Sequence, residues 1–239
     1  MNDRFFTNSS SRTVTSEKVA GENRRFLVRV YNWMGTGLAL TGAIAWFVAD
    51  SPSLLHAILG NQLIFWGLII CELGAVFYLS AMINRISAQM AMAVFIGYAI
   101  LNGLTFSTIF VAYTHSSITT AFVVTGGMFG AMSFYGATTK SSLESWGSFL
   151  FMGLVGIVIA SVVNIFLNSP AVYWISTYAG VLIFTGLTAY DTQKILKTNI
   201  IGNEGTDGDT KEAIMGALTL YLDFINLFLM LLRIMGNRR

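Results

Sequence analysis

The sequence predicts an all-α polytopic membrane protein, a single bundle of seven transmembrane helices. Three observations carry that class. Only 11% of the 239 residues are charged, against about 25% in soluble domains, while 54% are hydrophobic and mean hydropathy is +0.65. Residues 145–190 contain no Asp, Glu, Lys or Arg. Residues 86–139 contain one potentially charged side chain, His115. Runs of this kind suit hydrocarbon and would leave a water-facing domain with almost no polar surface.

Residues 1–25 are polar and lack an apolar stretch, so no cleavable signal peptide is expected. They read as a flexible tail ahead of one membrane domain, residues 26–239. A span needs about 20 apolar residues to cross roughly 30 Å of hydrocarbon. Seven runs qualify, at 30–48, 63–82, 91–113, 118–135, 149–167, 171–190 and 214–235. The links at 114–117 and 168–170 are short enough to force antiparallel neighbours, giving one compact bundle. Gly126 and Gly130 have the spacing that lets helices approach closely, a common and weakly specific motif.

Orientation follows Lys and Arg in short flanking segments. Arg4, Arg12, Lys18, Arg24, Arg25 and Arg29 precede the first span. Arg85 follows the second, Lys140 the fourth, and Lys194, Lys197 and Lys211 the sixth. The loops after the first, third and fifth spans have none, which puts the amino terminus and the 192–212 loop in the cytoplasm. Seven crossings then leave Arg233, Arg238 and Arg239 outside, against the rule; the alternative is a last helix that turns back as a re-entrant hairpin. The 214–235 run is long enough for about 33 Å of helix, which favours a crossing.

Several function classes are excluded. One cysteine, Cys71, permits neither a disulfide nor a Cys-based metal site within a subunit. No basic and aromatic segment suggests nucleic acid. The only histidines, His56 and His115, fall in loops, and no HExxH, phosphate loop or GxSxG occurs. No enzyme and no cofactor are expected.

Acids within or at the edge of spans carry the chemistry, because a charge in hydrocarbon costs roughly 2.5–3.5 kcal/mol on insertion scales and marks ion or proton pathways. There are three: Glu72, Asp191 and Asp223. Asp223 lies mid-way along the last run, where Gly216, Thr219, Asp223, Asn226 and Met230 form one helical face. That face points into the bundle; the bland alternative is a protonated Asp bonded to a neighbouring helix. Asp191 closes the sixth span and reads equally well as a solvated helix end. Contact between the two requires Asp191 to sit deeper than residue 190 suggests, or the seventh helix to start before 214. If they meet, they share one proton and titrate as a unit. A divalent cation could replace that proton; two carboxylates fall short of the 6–8 oxygens calcium prefers, which suits a transit or sensor site. Glu72 needs a partner, with Asn102, Asn164 or a hydroxyl available. Arg85, at the end of the second span, reads as a positive-inside anchor or as a cation within reach of the Asp191 region.

The motifs Gly-Leu-Thr-Ala-Tyr-Asp-Thr-Gln at 186–193 and Leu-Thr-Leu-Tyr-Leu-Asp-Phe-Ile-Asn-Leu-Phe-Leu at 218–229 resemble the Bax inhibitor-1 (TMBIM) family. The likeness runs from Tyr31 onward and includes Leu79 to Arg85, Phe129 to Lys140, and a terminal Gly-Asn-Arg-Arg similar to bacterial inner-membrane members. The resemblance implies a seven-helix bundle with the last helix central. It implies a pH-sensitive calcium leak in which a buried aspartate pair, here Asp191 and Asp223, senses protons, with an arginine near the end of the second helix locking onto it; Arg85 is the nearest match. Some bacterial members are instead modulators of a membrane protease. The expected function is therefore a pH-sensitive cation leak of the bacterial inner membrane with calcium and protons as ligands. The alternatives are a non-conducting regulator of a membrane protease, acting through its polar tail, and a proton-coupled calcium exchanger.

Overall fold

The computed structural model describes residues 16–238. Among them the chain forms eight helices: α1 (Ser16–Ala49), α2 (Pro52–Leu59), α3 (Gln62–Met82), α4 (Ala88–Ala112), α5 (His115–Thr138), α6 (Glu144–Leu167), α7 (Pro170–Thr198) and α8 (Asp207–Met235). The starts are set by local chemistry. The side chains of Asn61, Ser87, Thr114, Ser169 and Thr206 each accept a backbone N–H from the turn they precede, satisfying a donor the helix itself leaves open. Pro52 and Pro170 stand in first turns, where a missing N–H costs nothing.

Six helices, α3 to α8, are each long and apolar enough to cross a membrane, and the count reaches seven when α1 and α2 are taken together across a 100° bend. The apolar half of α1 is diluted by Asn32, Thr36, Thr41 and three glycines, so it passes only with the short α2 beside it. The predicted class, an all-α polytopic membrane protein, is the class observed.

The last helix lies at the centre. In its apolar window 72% of α8 is buried, against 6% for α3 and 11% for α6. Leu220, Tyr221 and Leu227 have no exposed surface. α1, α4, α5 and α7 pack around α8, while α6 touches α7 alone among the helices and α3 leans mainly on α4. Large apolar side chains such as Leu63, Phe77, Phe166 and Leu182 point outward, the arrangement expected where the surroundings are lipid.

At one end, the α7–α8 loop is tied to α1. Arg25 and Arg29 bind Glu204 at 2.9 and 3.0 Å, Arg29 binds Asp209 at 2.7 Å, and the Gly202 N–H donates to Glu22 at 2.6 Å. The two guanidinium groups hold the Glu204 carboxyl down at about 2. Its ordinary value is 4.5, so the clamp is complete above that pH and fades only as pH falls towards 2. Asp209 is 1% exposed. Arg29→Ala therefore strands a buried carboxylate and is expected to cost about 3 kcal/mol, read as a lowered thermal midpoint in detergent. Arg25→Ala, at a solvated pair, leaves that midpoint nearly unchanged.

This clamp corrects the expected tail. α1 begins at Ser16, so residues 16–25 are helix, and Glu22, Asn23 and Arg25 tie it to the α7–α8 loop. Residues 1–15 of that tail lie outside the described residues. The expected 192–212 loop shrinks likewise, because α7 continues to Thr198 and α8 begins at Asp207.

The opposite end resolves the terminal arginines. The Thr114 N–H donates to the Asn237 carbonyl at 3.2 Å, and the Asn237 N–H to Ser117 Oγ at 2.9 Å. Arg233 lies over the Tyr173 ring, and Arg238 lies over Tyr113 while donating to the Tyr173 hydroxyl at 3.2 Å. α8 thus runs the whole length of the bundle as one helix and does not turn back as a hairpin. Of the three terminal arginines, Arg233 and Arg238 sit on aromatic faces, and Arg239 lies outside the described residues.

The glycine expectation fails at the predicted pair. A Cβ at Gly126 or Gly130 would meet nothing within 4 Å, so these residues mediate no close approach. The close approach is at Gly136, where the α5 backbone lies directly against the backbone of Ala189 in α7.

Candidate functional site

Asp191 sits within α7, about two turns before its end, and Asp223 sits mid-way along α8. The helix continues past Tyr190 because its polar residues find partners both within the helix and on its neighbours. The hydroxyls of Thr188 and Thr192 donate to the carbonyls of Phe184 and Thr188 at 2.8 and 2.7 Å, a cheap way to bury a threonine. Three consecutive side chains then reach three different neighbours. Asp191 faces α8. Thr192 bonds Ser133 of α5 at 2.9 Å, and Ser133 in turn bonds Tyr31 of α1. Gln193 accepts from the Leu143 N–H and donates to the Ser141 carbonyl, both at 2.9 Å, fixing the α5–α6 link.

The carboxyl groups of Asp191 and Asp223 lie within interacting reach of each other. Asp223 is 5% exposed, and among the described residues no donor reaches its buried Oδ2. Carboxylates only accept, so a bond between the two requires one proton held between them. Asn226, one turn further along α8, donates to the Leu222 carbonyl at 2.8 Å and lines the same cleft, leaving its oxygen available.

Two cavities meet at Asp191, and one of them also reaches Asp223. One of about 540 Å³ opens between α6, α7 and α8 and is lined by Ser148, Tyr190, Asp191, Asp223 and Asn226. It exists because α6 packs on α7 and leaves α8 uncovered. The other, about 330 Å³, lies towards the α7–α8 loop and is lined by Asn84, Asp191, Lys211 and Glu212. They share Asp191, Lys194 and Thr219. Past the pair, towards the other end, Leu150, Phe184, Leu187, Leu227, Met230 and Leu231 form an apolar cluster. Among the described residues no three His, Cys, Asp or Glu side chains come together as a metal centre.

The remaining expected residues fall elsewhere. Glu72 is half-buried on α3 and accepts from the Thr105 hydroxyl of α4 at 2.8 Å, so its partner is a hydroxyl and neither asparagine considered. It lines neither cavity. Arg85 is exposed in the turn after α3 and reaches no carboxylate among the described residues, a departure from the expected lock. The turn is held from α8, where Lys211 donates to the Ile86 carbonyl and Asp207 accepts from the Ala88 N–H, and Asn84 rather than Arg85 faces the cavity. The cation beside Asp191 is Lys194, within Coulombic reach on the same helix. Sequence reasoning used Lys194 only for orientation; its place one turn from Asp191 was the signal available.

Residues 23–239 match the family described as Inhibitor of apoptosis-promoting Bax1. The chain is 53% identical over 215 residues to the inner membrane protein YbhL of Escherichia coli, covering 90% of this chain and 92% of that protein. It is 42% identical over 215 residues to an uncharacterized protein of Borreliella burgdorferi, covering 90% and 93%. With an uncharacterized membrane protein of Streptococcus pyogenes the identity is 34% over 217 residues, covering 89% and 93%.

Proposed function

Because this chain belongs to the Bax inhibitor family, we propose that it is a pH-sensitive cation leak of the bacterial inner membrane, with calcium as its cargo and no enzymatic activity. The observation that carries this reading is the approach of the half-buried Asp191 carboxyl on α7 to the buried Asp223 carboxyl on α8. A single proton binds them together and joins α7 to α8. Loss of that proton leaves two acceptors facing each other, which breaks the bond and frees the two helices to part. The same carboxylates, with the Asn226 oxygen, are hard ligands suited to calcium, and too few for tight storage. The two cavities supply the approach from the loop end, and the apolar cluster beyond the pair is the closed gate. The basic residues of α1 and of the α7–α8 region support a cytoplasmic position for that end in this reading.

The test is calcium flux into liposomes holding the purified protein and an internal calcium indicator. Flux above that of empty liposomes, changing severalfold with pH, is expected. Flux equal to that of empty liposomes at every pH contradicts the proposal. Uphill calcium movement driven by an imposed proton gradient would identify an exchanger.

A further inference from the structure

The geometry points to Lys194 as the residue that sets cation affinity at the aspartate pair, its ammonium competing with an entering divalent cation for Asp191. Three observations support it. Lys194 lines both cavities at the place where they meet, so a cation coming from the loop end passes its side chain before reaching the carboxyls. Its charge acts on Asp191 from one helical turn away. Its side chain also makes no hydrogen bond or ion pair among the described residues, the ammonium resting over the Tyr190 ring at 5.9 Å.

The neighbouring charges are engaged otherwise. Lys197 of α7 pairs with Glu144 of α6 at 3.1 Å. On α8, Lys211 is held by the Ile86 carbonyl, Glu212 is in reach of Asn203, and Asp209 is taken by Arg29 of α1. Arg85, from the α3–α4 turn, stays outside. Lys194 is thus the cation positioned to swing between the carboxylate and the aromatic face. A divalent cation gains Asp191 as a ligand only when the ammonium withdraws, so part of the binding energy is spent on displacement.

This inference rests on the reading of the pair as a cation site, and binding, which needs no conduction, separates the two. The experiment titrates the full-length protein in lipid nanodiscs with terbium(III), whose luminescence Tyr190 sensitises, and then displaces it with calcium at fixed pH. Lys194→Met is expected to bind calcium about tenfold more tightly than wild type, the loss of one opposing charge. Lys194→Arg, which keeps the charge, restores the wild-type affinity. Lys194→Gln checks that the gain follows charge and not side-chain shape. Tightening in Lys194→Met and Lys194→Gln, absent in Lys194→Arg, supports the inference. Aspartate-dependent binding that is equal in wild type and all three variants overturns it and leaves the site standing. Binding in every variant that is indifferent to Asp191→Asn and Asp223→Asn removes the cation site and the inference with it.

Discussion

Asp223→Asn is expected to abolish the pH dependence of calcium flux and to lower flux by about tenfold, the worth of roughly 1.4 kcal/mol at a cation site. Asparagine has nearly the same shape and fills the same space. Its amide donates a permanent hydrogen bond to Asp191, so the contact between α7 and α8 no longer depends on a proton. The site also loses one of its two negative charges. Because Asp223 is 5% exposed and its Oδ2 has no other donor among the described residues, the substitution relieves an orphaned atom and the fold is retained. Asp191→Asn acts in the same direction. Its carboxyl is half-buried beside Lys194, where water and the ammonium remain available, and the loss of pH dependence is the common signature.

Gly136→Val carries the largest structural effect. The α5 backbone at Gly136 rests on the backbone of Ala189, and a Cβ there would overlap the Ala189 carbonyl. Backbone cannot rotate aside as a side chain can, so α5 and α7 must separate, at a cost of about 1–3 kcal/mol or more. Asp191 follows Ala189 by two residues, and the displacement carries its carboxyl away from Asp223. The variant is expected to lose thermal stability and pH-dependent flux together. Gly126→Val is the control. That position has nothing within 4 Å of an added Cβ, and both properties remain at wild-type level.

These two sites differ in how far the sequence reveals them. Asp223 is legible because an acid inside an apolar run has no bland surface to occupy, and its stripe with Thr219 and Asn226 gives the face. The membrane class is legible for the same reason. Asp191 is half legible. The Asp-Thr-Gln-Lys stretch looks like a helix end reaching water, whereas Thr192 and Gln193 are buried by bonds to Ser133, Leu143 and Ser141, partners 50 to 59 residues away. No local pattern predicts such partners. The continued helix is what brings Asp191 to Asp223, so the contact left open by the sequence depended on bonds the sequence hides.

The Arg85 lock and the Gly126–Gly130 close approach are missing from the structure for a related reason, while the reading of Arg85 as an anchor stands untouched. Each is a local motif whose meaning depends on which way the helix or turn faces. Lys211 and Asp207 set the direction of the α3–α4 turn from α8, and the outer face of α5 points to lipid. The docked amino-terminal helix was hidden too, since Arg25 and Arg29 find Glu204 and Asp209 across 175 to 180 residues of chain.

The most direct measurement follows the shared proton itself. Infrared difference spectra of the purified protein in lipid detect a protonated carboxyl, and a pH titration can be set beside calcium flux from the same preparation. A carboxyl signal that changes over the same pH range as the flux, and vanishes in both Asp191→Asn and Asp223→Asn, is the expected result. Flux that changes with pH while the carboxyl signal stays constant, or persists unchanged in either variant, would contradict the account.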